Sequence, residues 1–175
     1  GGVPEAVTNP QIRLQRGDTT YGISLDRVMK DTALNIGVQG SDRLFVEADE
    51  RYFLSLGAAT TRAQHHFPQD RVTALDAMSI IGGLTATRAD AQGILILRAY
   101  NAADVHGDGS GPRHARTIFT IDLTSADGLF SAGAFLIQPG DLVYVSESPL
   151  LATSNVLTLI GSVFGLVTRV DTATN

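Results

Sequence analysis

The sequence predicts an α+β protein of small mixed sheets, with one helix laid across a face and an amphipathic helix at the C-terminus. Three observations carry this. Matching apolar segments recur in a fixed order along the chain. Strand-like runs of β-branched and alternating residues surround one helix-like run. The last segment is apolar around a narrow polar stripe.

The recurrence is the most informative of the three. Gly1-Gly2-Val3 reappears as Gly82-Gly83-Leu84, and Ile12–Arg16 as Ile94–Arg98. Tyr21–Leu25 reappears as Phe119–Leu123, and Val38–Val46 as Ile137–Val145. The offsets are 81, 82, 98 and 99 residues, in that order. Matching segments in fixed order mark duplicated modules. Residues 1–50 therefore read as the C-terminal part of a first unit, 51–148 as a complete second unit, and 149–175 as a terminal helix. The front half of the second unit, about residues 52–83, has no match in the first. The chain accordingly reads as a piece of a longer protein.

Residues 11–16 and 20–26 form a hairpin around Arg16-Gly17-Asp18. A short strand follows at 43–48, and another at 52–58 that ends on glycine. Residues 73–81 are a helix. Thr73 is its N-cap, Asp76 completes a capping box, and Leu75, Met78, Ile81, Ala74 and Ala77 form its apolar face. Gly82-Gly83 ends it, because glycine accepts the left-handed conformation of helix C-termini. Strands follow at 93–100, 116–123 and 141–146. The Gly-, Asp- and Pro-rich residues 101–113 form an exposed loop between the first two.

Leu150–Val170 carries one ionisable side chain, Arg169. Asn155, Thr158, Ser162, Gly165 and Arg169 recur at helical spacing on one stripe. Leu157, Ile160, Val163, Phe164 and Val167 belong to the apolar remainder. A helix of about 20 residues is about 30 Å long, the thickness of a bilayer core. Such a helix can cross a membrane with its polar stripe facing water or partner helices, join copies of a soluble oligomer, or pack on its own domain. Gly161 and Gly165 form a Gly-x-x-x-Gly pair, which permits close helix contact in a membrane.

Composition excludes several classes. Hydrophobic residues make up 43%, enough for a packed core, and the net charge of −5 with scattered Lys and Arg argues against a nucleic-acid surface. No cysteine is present, so disulfides, thiolate zinc sites and cysteine nucleophiles are excluded. His65-His66, adjacent on an extended chain, point to opposite faces and chelate poorly. Pro68 behind them suggests a loop. Asp104, His106, Asp108 and His114 sit in a loop without the spacing of a calcium site. Asp42 and Asp141 hold one place in both repeats, where a turn-closing role outweighs a catalytic pair. Gly82-Gly83 follows a helix rather than preceding one, so it is no phosphate loop. No catalytic constellation emerges; no enzyme activity, metal or cofactor is expected.

The run Thr73–Leu84, then Ile94–Arg98, Phe119–Leu123 and Ile137–Val145, resembles the soluble-ligand-binding β-grasp (SLBB) domain, as found in outer-membrane polysaccharide export proteins. That resemblance covers nearly all of the chain: half of one β-grasp unit, a whole second unit, and the helix. Ile80-Ile81 stands before the glycines where the family more often has alanine, and the insert 101–115 lengthens one hairpin. The resemblance implies a homo-oligomeric ring in the periplasm and outer membrane of a Gram-negative bacterium. It implies polysaccharide as cargo and inner-membrane export machinery as partner. Asn155, Thr158, Ser162 and Arg169 would then line a pore, while Leu157, Ile160, Val163, Phe164 and Val167 face lipid or partner helices. The alternative is a soluble saccharide- or small-ligand-binding β-grasp module without channel activity.

Overall fold

A computed structural model of the chain describes residues 2–4, 6–83 and 91–146. It is a mixed α+β structure with two small sheets. The first sheet holds β1 (Gln11–Arg16), β2 (Thr19–Ser24) and β3 (Arg43–Glu47) in the order β2-β1-β3, with both pairs antiparallel. A short helix, α1 (Leu25–Lys30), follows β2. The second sheet holds β4 (Tyr52–Gly57), β5 (Gln64–His66), β6 (Ile94–Ala99), β7 (Arg116–Ile121) and β8 (Leu142–Val145) in the order β5-β4-β8-β6-β7. Within this sheet β4 and β8 run parallel, and the other pairs are antiparallel.

The two sheets share a three-strand pattern. The strands β6, β7 and β8 repeat the arrangement of β1, β2 and β3, with the middle strand flanked by two antiparallel neighbours. The second sheet adds β4 and β5 beyond β8.

The helix α2 (Ala74–Ile80) forms as its sequence predicts. The Thr73 side chain accepts from the Asp76 amide at 3.1 Å, and the Asp76 carboxylate accepts from the Thr73 amide at 2.9 Å, completing the box. Its end is set by Gly82 and Gly83 at φ +82° and +75°, with the Gly83 amide donating to Met78 O at 2.8 Å. Ala74, Ala77, Met78 and Ile81 are buried, while Leu75 is more than a third exposed. The buried four fall at i, i+3, i+4 and i+7. Leu75 stands outside that stripe rather than on the apolar face assigned from sequence.

These residues close a core with Phe53, Phe67, Val72, Ile94, Ile96, Ile121, Ile137, Val143 and Val145. Each large side chain so buried contributes roughly 1.5–3 kcal/mol. At Gly57 the chain passes so close to β8 that a Cβ would meet Val145 O at 2.1 Å, and its φ of +77° is itself a glycine conformation.

Three further sequence expectations need correction. The strand expected at 20–26 ends at Ser24, because Ser24 caps α1 by accepting from the Arg27 amide. His65 and His66 lie in the edge strand β5, paired with Phe53 and Tyr52, and not in a loop. A second helix of the same unit, α3 (Ala126–Ala134), packs against α2, so the described residues of the unit hold two helices where the sequence reading gave one. Its sequence, rich in alanine and holding two glycines, has no apolar stripe to announce it. Gly128 is required there, since a Cβ would meet Asp122 O at 1.7 Å. The loop 101–113 includes a 3₁₀ turn at Ala102–Asp104.

Candidate functional site

The two aspartates singled out from the repeat close equivalent turns. Asp42 accepts from the Gln39 amide at 2.7 Å, and Asp141 from the Gln138 amide at 2.8 Å. Gly140 adopts φ +84°, as the third residue of a type II Pro-Gly turn requires. Its counterpart Ser41 is held at +75° without glycine's freedom.

What the sequence reading missed is the partner of each carboxylate. Arg98 Nε donates to Asp141 Oδ1 at 2.9 Å and Nη2 to Oδ2 at 2.7 Å, while Nη2 also reaches Leu136 O at 2.8 Å. In the first unit Arg16 Nε and Nη2 donate to Asp42 at 2.9 and 2.7 Å, and Nη2 reaches Gly37 O at 2.9 Å. Arg16 is the last residue of β1 and Arg98 the last but one of β6, and each pins the turn that leads into the neighbouring strand, β3 or β8. The signal was present: Arg16 and Arg98 close the matching segments Ile12–Arg16 and Ile94–Arg98. A planar guanidinium bound to both carboxylate oxygens fixes orientation as well as distance. The rings of Phe119 and Phe135 lie 5.3 and 5.2 Å from the Arg98 guanidinium carbon. Burial disfavours charged Arg98, but the Asp141 hydrogen bonds and charge outweigh it and leave its pKa raised.

The first-unit latch predicts a pH dependence. Hydrogen bonds from Arg16 and then from the Gln39 amide hold Asp42 down to about 2, against an ordinary 3.8. A carboxyl with a depressed native pKa contributes stability that is present above its unfolded value and lost as pH falls through the folded one. The unfolded chain takes up the Asp42 proton first between about pH 4 and 2. Stability is therefore expected to fall across that window, and Asp42→Asn to flatten the slope. Denaturant unfolding at a series of pH values checks this.

A polar junction joins the two sheets. The Asn9 side-chain amide donates to Asp49 at 2.7 Å and to Asp70 at 3.2 Å, and Ser24 Oγ donates to Asp70. Arg51 binds both oxygens of the buried Asp49 and reaches Asp70 O at 3.1 Å. Burial raises the pKa of Asp49, yet the bonds from Arg51 and Asn9 hold it below its usual range.

His65 is packed into the second sheet, whereas His66 is exposed. His65 stacks on Phe53 at 5.1 Å, its Nε2 lies 2.8 Å from Ser55 Oγ, and burial pushes its pKa down. Ser55 Oγ also donates to Thr61 O at 2.6 Å, and Ser55 is buried. His66 lies on the exposed side of the strand. In the 101–115 insert, Asp108 accepts from the Ser110 amide and hydroxyl, which lowers its pKa. His106, at 3.0 Å from Pro112 O through its amide, closes the loop base. Among the described residues no three His, Asp or Glu side chains are gathered to hold a metal. An open cleft of about 730 Å³ lies between the insert and the 138–141 turn, lined by Tyr100, Asn101, Asp104 and Gln138.

The sheet surfaces are more distinctive than any polar cluster. On the face of the second sheet opposite its core, Leu54, Leu142, Leu97 and Ile118 form one cross-strand row, and Leu56, Tyr144, Leu95 and Thr120 the next. Leu54 and Leu56 are exposed. One row is apolar across four strands and the other across three, with Leu95 buried and Leu54 and Leu56 exposed, a surface suited to packing against another protein.

Known proteins resemble the chain along almost its whole length. It is 26% identical to the capsule polysaccharide export protein BexD of Haemophilus influenzae over 178 residues, 96% of this chain and 45% of BexD. Identity to the capsule polysaccharide export outer membrane protein CtrA of Neisseria meningitidis is 23% over 171 residues, 93% of the chain and 44% of CtrA. The chain is a relative of the polysaccharide export proteins. Identity to the Vi polysaccharide export protein VexA/TviF of Salmonella typhi is 24% over 140 residues, 80% of the chain and 38% of VexA/TviF. The chain spans less than half the length of these curated export proteins. No family model matches it.

The expected membrane segment of this export-protein relative, with Asn155, Thr158, Ser162 and Arg169 on one stripe and Leu157, Ile160, Val163, Phe164 and Val167 around it, lies outside the described residues. Among the described residues no helix is long and apolar enough to cross a membrane.

Proposed function

We propose that the chain is part of an export channel for capsular or extracellular polysaccharide, placed in the periplasm and outer membrane of a Gram-negative bacterium. The observation that carries this reading is the similarity to capsule and Vi polysaccharide export proteins along nearly the entire chain. The duplicated sheets then act as periplasmic β-grasp (SLBB) units, with residues 1–50 and 51–148 as the two units and 149–175 as a separate helix. Copies assemble side by side into a ring, and the apolar outer face of the second sheet supplies packing surface for it. Helices of Leu150–Val170 span the outer membrane, since a helix satisfies its own backbone polar groups in lipid. Asn155, Thr158, Ser162 and Arg169 line the pore. Leu157, Ile160, Val163, Phe164 and Val167 face lipid or neighbouring helices. A lumen of hydroxyl and amide groups passes a hydrated polymer without holding it, and no catalytic step is required. Inner-membrane export machinery delivers the polysaccharide.

The polar cleft beside the insert supports a second reading, a soluble saccharide-binding module. One comparison separates the two. The complete protein is measured in detergent with and without residues 150–170, alongside polysaccharide export in cells. A defined oligomer that loses membrane insertion and export on deletion is the expected result. A monomer in both forms, with export unaffected, would point to the binding module. Within the channel reading, Asn155→Leu with Ser162→Leu is expected to cut export at least about tenfold while leaving the oligomer intact, because apolar residues would line a water-filled path.

A further inference from the structure

The insert between β6 and β7 builds one wall of a cleft in the second unit. In the first unit the matching strands β1 and β2 are joined by a two-residue turn, Gly17-Asp18; in the second, residues 100–115 lie between them. The insert has a shape of its own. The Tyr100 amide donates to Ala115 O at 2.7 Å, the His106 amide to Pro112 O at 3.0 Å, and the Asn101 side-chain amide to Asp104 at 3.3 Å. Gly111 passes so close to the preceding chain that a Cβ would meet Asp104 O at 2.9 Å. Folded in this way, Tyr100, Asn101, Asp104 and Pro112 line the open cleft of about 730 Å³ together with the 138–141 turn.

The lining selects a class of ligand. Tyr100 is half-buried, and Asn101, Asp104 and Gln138 are exposed. Each side-chain amide carries both donors and an acceptor, which matches a hydroxyl group that is itself both. Among the described residues that line the cleft, Arg98 is the one cation, and it is already saturated. It donates to both oxygens of Asp141 and to Leu136 O, and the Tyr100 side chain bonds to it as well. Asp141 is closed in turn by the Gln138 amide. The pair is neutral, so the charge left over is that of Asp104. A carboxylate or phosphate entering the cleft meets no uncommitted cation and is repelled by Asp104. A hydroxyl group meets two amides and a carboxylate acceptor beside an aromatic ring.

We propose that this cleft is a contact site for uncharged, hydroxyl-bearing sugar units of the transported polysaccharide, made by the insert against the 138–141 turn. The proposal rests on the export reading above and adds to it where the polymer touches the second unit and which part of the polymer is touched. Tyr100 offers its ring to the apolar face of a sugar, since tyrosine joins an apolar body to a polar tip. Asn101 and Gln138 exchange hydrogen bonds with sugar hydroxyls, and Asp104 accepts from one. One ring and three polar side chains in an open cleft offset only part of the entropy lost on association. The contact is therefore weak for a single sugar unit, and it guides a moving chain without retaining it.

The test uses the complete protein in cells that make and export polysaccharide. A photoreactive benzophenone side chain replaces Asn101 in one strain, Asn155 in a second, and Phe130, exposed on α3 and outside the cleft, in a third. After irradiation the protein is probed with antibody to the polysaccharide. Adducts are expected at positions 101 and 155 and not at 130. An adduct at 155 without one at 101 would overturn the contact site and leave the export reading standing. No adduct at either would overturn both, and an adduct at 130 equal to that at 101 would overturn the site. An adduct at 101 alone supports the site and counts against the pore lining. The class of ligand is read with the purified complete protein carrying benzophenone at 101, irradiated with dextran, which is uncharged, or with polygalacturonate, which bears a carboxylate on every unit. More adduct with dextran is expected; equal yields, or more with polygalacturonate, would overturn the selection of uncharged units.

Discussion

Asp141→Ala is expected to destabilise the protein by about 3–5 kcal/mol, the cost of leaving one member of a buried ion pair without its partner. The side chains of Arg98 and Asp141 are 11% and 1% exposed, so water cannot replace the lost carboxylate. Three bonds fail together: two from Arg98 and one from the Gln138 amide. The turn before β8 then loses its anchor, and β8 is the strand that joins β4 to β6 at the centre of the sheet. Denaturant unfolding measures the loss. Arg98→Met combined with Asp141→Leu should recover part of it, because neither charge is then stranded; the unpaired Gln138 amide keeps the recovery incomplete. The corresponding change at Asp42 is expected to cost less. Arg16 keeps 30% of its side chain in contact with water, which can solvate it when the partner is gone. Equal losses at the two sites would mean that burial does not set the strength of the latch.

Phe53→Ala should cost about 3–5 kcal/mol, the range for removing a buried aromatic ring. Phe53 is fully buried, stacked on His65 at 5.1 Å and edge-on to Phe67 at 6.2 Å. Its loss opens a cavity under β5 and removes the surface on which His65 rests, so the Ser55–His65 contact should loosen as well. The control is Phe130→Ala on α3, where the ring is 79% exposed; its effect should stay within about 0.5 kcal/mol. Thermal or denaturant unfolding of the two variants decides whether the second core is packed as described.

The contrast between α2 and α3 shows where sequence reading succeeds. In α2 the cap, the apolar stripe and the terminating glycines are all local, and each is written in residue types at fixed spacing. In α3 the helix is set by Ser125 accepting from the Gly128 amide at 3.0 Å and by a glycine that must pass close to Asp122, and no periodic stripe records this. The edge strand β5 escaped for a related reason. Three residues with two histidines carry no period, and they become a strand only because β4 offers an unpaired edge.

The sequence by itself determined the recurrence of apolar segments, the box-capped helix and the turn role of Asp42 and Asp141, because repeats, periodicity and turn chemistry are local properties. Tertiary structure alone decided which strands became neighbours and that Arg16 and Arg98 each hold an aspartate. Those outcomes depend on residues 26 and 43 positions apart meeting in the folded sheets. Spacing along the chain carries no record of either.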